Sequence, residues 1–312
     1  MTQRIDNRVR RPPAAKGGVF TAFGLAAEAE ALSPGLYVVA TPIGNLKDVS
    51  FRALSVLAAA DSVLAEDTRV TKTLLAHYGI TTPLVAYHEH SNEAVRERMI
   101  HRVREGQALA LVSDAGTPLV SDPGYKLVKA AIEEGLPVTP IPGPSAVMTA
   151  LVVSGLPTDR FFFEGFLPPK SAARRTRLAQ IGTIPGTLML FEAPHRLPEM
   201  LADAAAVLGE RPAVVARELT KLFETVRRGT LPDLAAIFAE EGPPKGEIVV
   251  LIGEATQAMQ AAEVDAVLDD RLQAALAAHS IKDAAALVAD ELGIPKREAY
   301  ARALALAKAK EP

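Results

Sequence analysis

The sequence predicts an α/β protein of two lobes, a doubly wound parallel sheet followed by a mixed α/β lobe, with a small helical module at its end. Three observations predict it. From Gly35 onward, short β-branched runs alternate strictly with helical patterns. At Gly155-Leu156-Pro157 that rhythm breaks, and from about Asp265 the chain turns Ala-rich with a helical period. Alternating strand and helix argues a parallel sheet covered on both faces.

The elements follow in order. Strand runs at 36–40, 62–65, 84–87, 108–112 and 137–141 are each trailed by a helical pattern, starting near Ser50, running on through His77, and then spanning about 91–105, 124–134 and 145–154. Gly-Leu-Pro cannot continue a helix, so a domain boundary falls there and divides an N-terminal lobe, 34–156, from a C-terminal lobe, 157–256. The second lobe supplies strand runs at 161–164, 187–191, 213–217, about 225–228 and 248–252, fewer and partly adjacent, which suggests a mixed sheet. Within a terminal module at 262–312, helices are expected over 265–278, 281–292 and 296–309, with Ser280 as a cap and Gly293 as a stop. Helix, short Gly turn and helix, with Ala289 four residues before Gly293, form a helix-turn-helix-like pattern. Residues 1–33 mix Arg, Pro, Gly and Ala without sustained period and read as a flexible leader.

The 312 residues are about half apolar, enough for a full core, and contain no cysteine, which excludes disulfides, thiolate metal sites and a cysteine nucleophile. A reducing, cytoplasmic setting fits, and no stretch is long enough to span a membrane. A net charge of −3 exerts no global pull on nucleic acid, so such a partner needs local patches. Candidates are the arm bearing Arg4, Arg8, Arg10, Arg11 and Lys16, the acid-free run Lys170, Arg174, Arg175 and Arg177, and the terminal Lys296, Arg297, Lys308 and Lys310. Each of them also reads as a solvated face or tail.

Ligands of open parallel sheets sit at the carboxyl ends of the strands. There this chain has Thr41-Pro42-Ile43-Gly44-Asn45-Leu46, Ser113-Asp114-Ala115-Gly116-Thr117-Pro118 with Ser121-Asp122-Pro123-Gly124, and Pro142-Gly143-Pro144-Ser145-Ala146. Proline stiffens such loops and glycine lets backbone approach a ligand. Neither G-x-G-x-x-G nor G-x-x-x-x-G-K-[ST] occurs, so no pyrophosphate cradle is signalled. An adenosine-like ligand without phosphates fits better, held by backbone groups around its base and a carboxylate or hydroxyl at its ribose.

At these residues the chain resembles the tetrapyrrole methylase superfamily, and within it the ribosomal RNA small subunit methyltransferase I family. The resemblance runs through Val39–Leu46, Ala65-Glu66-Asp67-Thr68-Arg69, His88–Glu93, Val112–Pro118 and Pro142–Ala146. It continues in Phe163–Pro168, Phe191-Glu192-Ala193-Pro194-His195-Arg196, Arg217-Glu218-Leu219-Thr220-Lys221 and Lys245-Gly246-Glu247. It covers about residues 35–253, and the tail is similar to that family's C-terminal module. It implies the two-lobed fold with S-adenosylmethionine in the cleft between lobes, methyl transfer to a cytidine ribose 2′-hydroxyl of 16S rRNA in the small ribosomal subunit, and a homodimer. The cofactor would be lined by Pro42, Ile43, Gly44, Asp114, Ala115, Gly116, Thr117, Pro118, Ser145 and Ala146, with Phe166, Phe191 and Glu192 from the second lobe.

Methyl transfer from a sulfonium is an in-line displacement, so the protein must align the partners and manage the acceptor's proton. Candidates for that task are Glu66, Asp67 and Arg69, Lys221 within Arg217–Lys221, and His88, His90 and His195; the first two sets read equally as ion pairs bracing loops. His88-Glu89-His90 alternates faces in an extended segment, so no metal site is expected. RNA contact is expected from Lys170, Arg174, Arg175, Arg177, Lys296 and Arg297, with Arg227 and Arg228 nearby. The opposing readings are a small-molecule methyltransferase acting on a corrin precursor, which would need neither tail nor basic run, and a DNA-binding regulator with a metabolite-sensing body.

Overall fold

The structure, a computed structural model, describes residues 17–255 and 257–308. The basic residues of the N-terminal arm and Lys310 lie outside them.

Five parallel strands build the first sheet: β3 (Gly35–Val39), β4 (Ser62–Ala65), β5 (Leu84–Ala86), β6 (Ala108–Val112) and β7 (Val138–Ile141), in the spatial order β5-β4-β6-β3-β7. The uniform apolar runs have a simple cause, since both faces are covered. Tyr37, Val39, Val63, Ala65, Ala110 and Val112 pack under helices α1 (Phe51–Ala59) and α2 (Thr68–His77). Leu36, Leu64, Leu109 and Leu111 turn the other way, onto α3 (Glu93–Arg104) and α4 (Tyr125–Glu133). Polar side chains cap α1 and α3: Ser50 accepts from the Ala53 amide and Asn92 from that of Val95.

A second five-stranded sheet has the order β11-β10-β12-β9-β8, from β8 (Phe161–Phe166), β9 (Thr187–Glu192), β10 (Pro212–Arg217), β11 (Thr225–Thr230) and β12 (Ile248–Ile252). Only β8 and β9 are parallel; the other pairings are antiparallel. One face carries α6 (Ser171–Ile181), α7 (Leu197–Leu208) and α8 (Leu231–Glu241). The opposite face, through Met189, Val214, Val249 and Leu251, packs against Val147, Ala150 and Leu151 of α5 (Ala146–Ser154) and against Ile43. Helix α5 buries Val147, Ala150 and Leu151 there, while its Met148 and Val152 stay exposed. Its carboxyl end is tied to the second sheet as well, for the Arg228 guanidinium donates to the carbonyls of Ser154, at 2.9 Å, and Val153.

Helices α9 (Gln257–Leu276), α10 (Ile281–Leu292) and α11 (Lys296–Lys308) form a separate small core around Leu268, Leu272, Val288, Ala299 and Ala303. Ser280 caps α10, and Gly293 ends it at φ +65°.

One expectation is corrected here. Residues 18–29, assigned to a flexible leader, form an antiparallel hairpin of β1 (Gly18–Ala22) and β2 (Leu25–Ala29). Its turn, Phe23-Gly24, is left-handed at both positions, and Phe20 and Ala29 are buried with the α1 side chains. So short and Ala-rich a pair has little pattern of its own; the ordering comes from packing on α1. No helix among the described residues is long and apolar enough to cross a membrane.

Candidate active site

The loops after β3, β6 and β7 leave three adjacent strands at one rim of the first sheet. They are stitched together. Thr41 and Gly116 exchange both backbone hydrogen bonds, at 2.8 and 3.0 Å, and the Thr117 hydroxyl donates to the Pro144 carbonyl at 3.0 Å. Gly116 sits at φ +79°, and a Cβ there would press on Ile43 at 3.3 Å. Leu119 and Ser121 hold left-handed backbone without being glycine, at φ +74° and +62°, which marks the segment as strained.

This rim faces the corresponding rim of the second sheet across a cavity of about 410 Å³. Of the residues expected at the cofactor, Ile43, Asp114, Ala115, Gly116, Thr117, Ser145, Ala146, Phe166, Phe191 and Glu192 line it. Pro42, Gly44 and Pro118 are not among its lining residues. Gly44 instead lies under the Lys221 and Thr220 side chains of the other lobe, and a Cβ there would collide with Lys221. Ser145 caps α5, its hydroxyl accepting from the Met148 amide, so the helix amino end opens into the cleft with free backbone donors.

Sequence reasoning missed part of the lining: Val120, Ser121, Asp122, Leu219, Gly246 and Glu247. For Asp122 a signal existed, because Ser121-Asp122-Pro123-Gly124 is one more Pro/Gly turn at the same rim. Leu219, Gly246 and Glu247 stood in the Arg217–Lys221 and Lys245-Gly246-Glu247 motifs of the resemblance, but nothing in those motifs placed them at the cleft, because the rim of an antiparallel sheet mixes strand beginnings with strand ends.

Carboxylates crowd the first-lobe wall. Burial pushes the Glu66 carboxyl above its usual range, and the negative charges of Asp114, Asp122, Glu89 and Asp67 push it further. Asp122 is raised by burial and by Asp114, against a hydrogen bond from Ser113. Asp67 behaves in the opposite way: the Arg69 guanidinium bonded to its carboxylate holds it down at about 2. Its carboxylate also accepts from the Arg69 amide at 2.8 Å, and its own amide donates to Asp114 Oδ1 at 2.9 Å. The Asp67–Arg69 pair therefore braces the start of α2, and Glu66, Asp67 and Arg69 are not among the lining residues.

Behind the second-lobe wall, Lys221, not itself a lining residue, holds its Nζ 2.8 Å from Glu218 Oε1 and 3.0 Å from Oε2 of Glu247, which does line the cleft. Burial opposes its charge, yet the two carboxylate hydrogen bonds outweigh that, and its pKa is raised. Lys221 is thus a fixed cation and no base. Glu192, almost wholly buried, has its pKa raised by that burial against the opposing Ala193 amide and Arg196; its Oε1 accepts from the Ala193 amide, and its Oε2 has no partner.

The basic run 170–177 divides. Arg174 is 1 % exposed, paired with Asp203 at 2.6 Å and donating to the Pro169 carbonyl, so its assignment to RNA is corrected: the guanidinium pins α6 to α7. Arg177 forks onto Glu164 at 2.6 and 2.7 Å. Lys170 and Arg175 are exposed, as are Lys296 and Arg297 at the start of α11. Arg227 pairs with Glu241 and lies over the Phe238 ring, while Arg228 caps α5.

A family model for tetrapyrrole (corrin/porphyrin) methylases matches residues 35–235, and one for the RsmI C-terminal HTH domain matches residues 260–307. The chain is 51% identical over 281 residues to ribosomal RNA small subunit methyltransferase I of Mesorhizobium japonicum, covering 89% of this chain and 94% of that one. To its namesake in Escherichia coli O157:H7 it is 47% identical, over 86% and 94%. Among solved structures it shares its fold with a diphthine synthase, at a TM-score of 0.55 and 19% identity over 72% of this chain and 92% of that one. A uroporphyrin-III C-methyltransferase from Thermus thermophilus complexed with S-adenosylhomocysteine superposes at 0.51 and 19% identity, over 70% and 97%.

Proposed function

Since the chain belongs to the ribosomal RNA small subunit methyltransferase I family of the tetrapyrrole methylases, we propose that it methylates 16S rRNA of the small ribosomal subunit, at the ribose 2′-hydroxyl of a cytidine. The carrying observation is the cleft itself, in which three cross-linked Pro/Gly turns of one sheet face a charged rim of the other.

S-adenosylmethionine is the methyl donor; bound, it supplies an electrophilic methyl group on a sulfonium. The residues present fit it: the lining has no phosphate cradle, offers backbone donors at α5, sets carboxylates toward a cationic ligand, and leaves Glu192 Oε2 as a buried acceptor awaiting a donor. Ile43, the 114–117 turn, Ser145 and Ala146 hold it from one side and Phe166, Phe191 and Glu192 from the other.

The acceptor's proton passes to a carboxylate of the first-lobe wall. Asp122 has the best claim, because it lines the cleft and its raised pKa brings it closer to a base poised near neutrality; Glu66 stands behind it. Lys221 stabilises the alkoxide that develops as the proton leaves, and Glu218 and Glu247 hold its ammonium in place. Asp67 and Arg69 act through the position of Asp114. Lys170, Arg175, Lys296 and Arg297 meet RNA phosphates, the last two from the second helix of the helix-turn-helix. The lobe boundary near Leu156, the separate terminal module and a cytoplasmic homodimer complete the reading.

The test is label transfer: the chain with radiolabelled methyl donor and undermethylated small ribosomal subunits, or with a tetrapyrrole precursor. Label in the ribose of one rRNA cytidine supports the proposal, and label in the tetrapyrrole alone overturns it.

A further inference from the structure

The second-lobe segment that contains Leu219 ends in two adjacent side chains that no other part of this chain covers: Leu222 is 89 % and Phe223 68 % exposed. Exposed apolar residues taken singly need no explanation, but this pair stands on a backbone built to hold it. Glu218 and Thr220 adopt left-handed φ of +52° and +67° without being glycine, a conformation that costs free energy. Hydrogen bonds fix the strained turn from every side. The Thr220 amide donates to Glu224 at 2.6 Å, the Arg217 guanidinium donates to the Phe223 carbonyl at 3.2 Å, and the Asn45 amide of the other lobe donates to the Thr220 hydroxyl at 3.2 Å. Leu219, three residues before Leu222, lines the cleft, and the intervening Lys221 holds its ammonium on Glu218 and Glu247.

We propose that Leu222 and Phe223 form a rigid apolar finger at the mouth of the cleft, on which an unpaired base of the RNA substrate stacks while the acceptor ribose enters. The proposal rests on the RNA-methylating reading above. Folded RNA is read chiefly through splayed, unstacked bases that lie on aromatic faces, and any base serves, because each has a π-face. A finger already held in place spends little entropy on that contact. Continuity with the cleft through Leu219, on a segment that also carries a fixed cation suited to the sugar-phosphate backbone, makes a nucleotide rather than a second copy of this chain its occupant.

The chain contains no tryptophan, so Phe223→Trp installs a single one where the base is expected to stack. Its emission should be quenched by undermethylated small ribosomal subunits and unaffected by the methyl donor alone. In steady-state methylation of the same subunits, Leu222→Ala/Phe223→Ala should raise KM about tenfold, as loss of one stacked base does. The maximal rate and the calorimetric affinity for the donor should hold, as should the melting curve, since both side chains are exposed. An unchanged KM, or an unquenched tryptophan, overturns the finger while leaving the proposed activity intact. A sedimentation mass that falls in the double variant overturns it in favour of a second copy as the occupant. If the parent protein itself fails to label the subunits, the activity falls and the finger with it.

Discussion

The two rims that face each other across the cleft are built by different physics. The first-lobe rim is a row of parallel strand ends, where each β-to-α loop must arrive on the same side; three of them meet, and backbone bonds between Thr41 and Gly116 and from Thr117 to Pro144 lock them. The second-lobe rim belongs to a mostly antiparallel sheet, so it joins the ends of β8, β9 and β10 to the start of β12. It is held by side-chain charge: Lys221 between Glu218 and Glu247, and, deeper in the lobe, Arg174 on Asp203. A backbone-built wall should tolerate loss of one side chain, whereas a charge-built wall should not.

That contrast can be broken by experiment. The largest effect is expected from Arg174→Ala, which leaves the Asp203 carboxylate unpaired in the second-lobe framework. Stability should fall by about 3–5 kcal/mol in denaturant unfolding, and a loss below 1 kcal/mol would mean that the charge holds nothing. Arg175→Ala, next to it and exposed, should leave unfolding unchanged. Next comes Lys221→Met, which removes the fixed cation. Its maximal methylation rate should drop by about 100-fold with donor affinity preserved, and a rate within threefold of the parent would strip Lys221 of its role.

On the first-lobe wall the expected effects are smaller. Asp114→Ala removes an acceptor for the Asp67 amide, so it should cost about 1 kcal/mol in stability and weaken donor binding about tenfold by calorimetry. Donor affinity equal to the parent's would leave the turn's backbone as the whole site. The smallest effect is a pH dependence. Asp122 is raised above its ordinary 3.8 when folded, so the folded state binds that proton more tightly than the unfolded chain does. Its contribution to stability is full below the unfolded pKa and is lost as pH rises through the folded value. Asp122→Asn should therefore melt above the parent at pH 7, with the gap closing toward pH 4; a gap independent of pH would mean that the carboxyl's ionisation is not what the substitution relieves.

How much of this could be read beforehand follows from the same contrast. Parallel strands buried on both faces print themselves as unbroken apolar runs, and the caps Ser50, Ser145 and Ser280 and the stop at Gly293 are local signals. The hairpin at 18–29 left no such print, because one buried side chain per strand is too little pattern without α1 beside it. Arg174 and Arg175 are neighbours of one residue type, and only the α6–α7 contact makes one an internal tie and the other a surface cation.

The sequence by itself determined the fold class, the three Pro/Gly turns at one rim, the family and the methyl-transfer chemistry, because each is carried by local conformational preference or by motif order along the chain. Tertiary structure alone decided which arginines are spent inside, which residues of the second lobe line the cleft, and that Lys221 is held as a cation beside Gly44. Those properties depend on which groups come within hydrogen-bond reach once residues far apart in the chain are folded together, and spacing along the sequence carries no record of that.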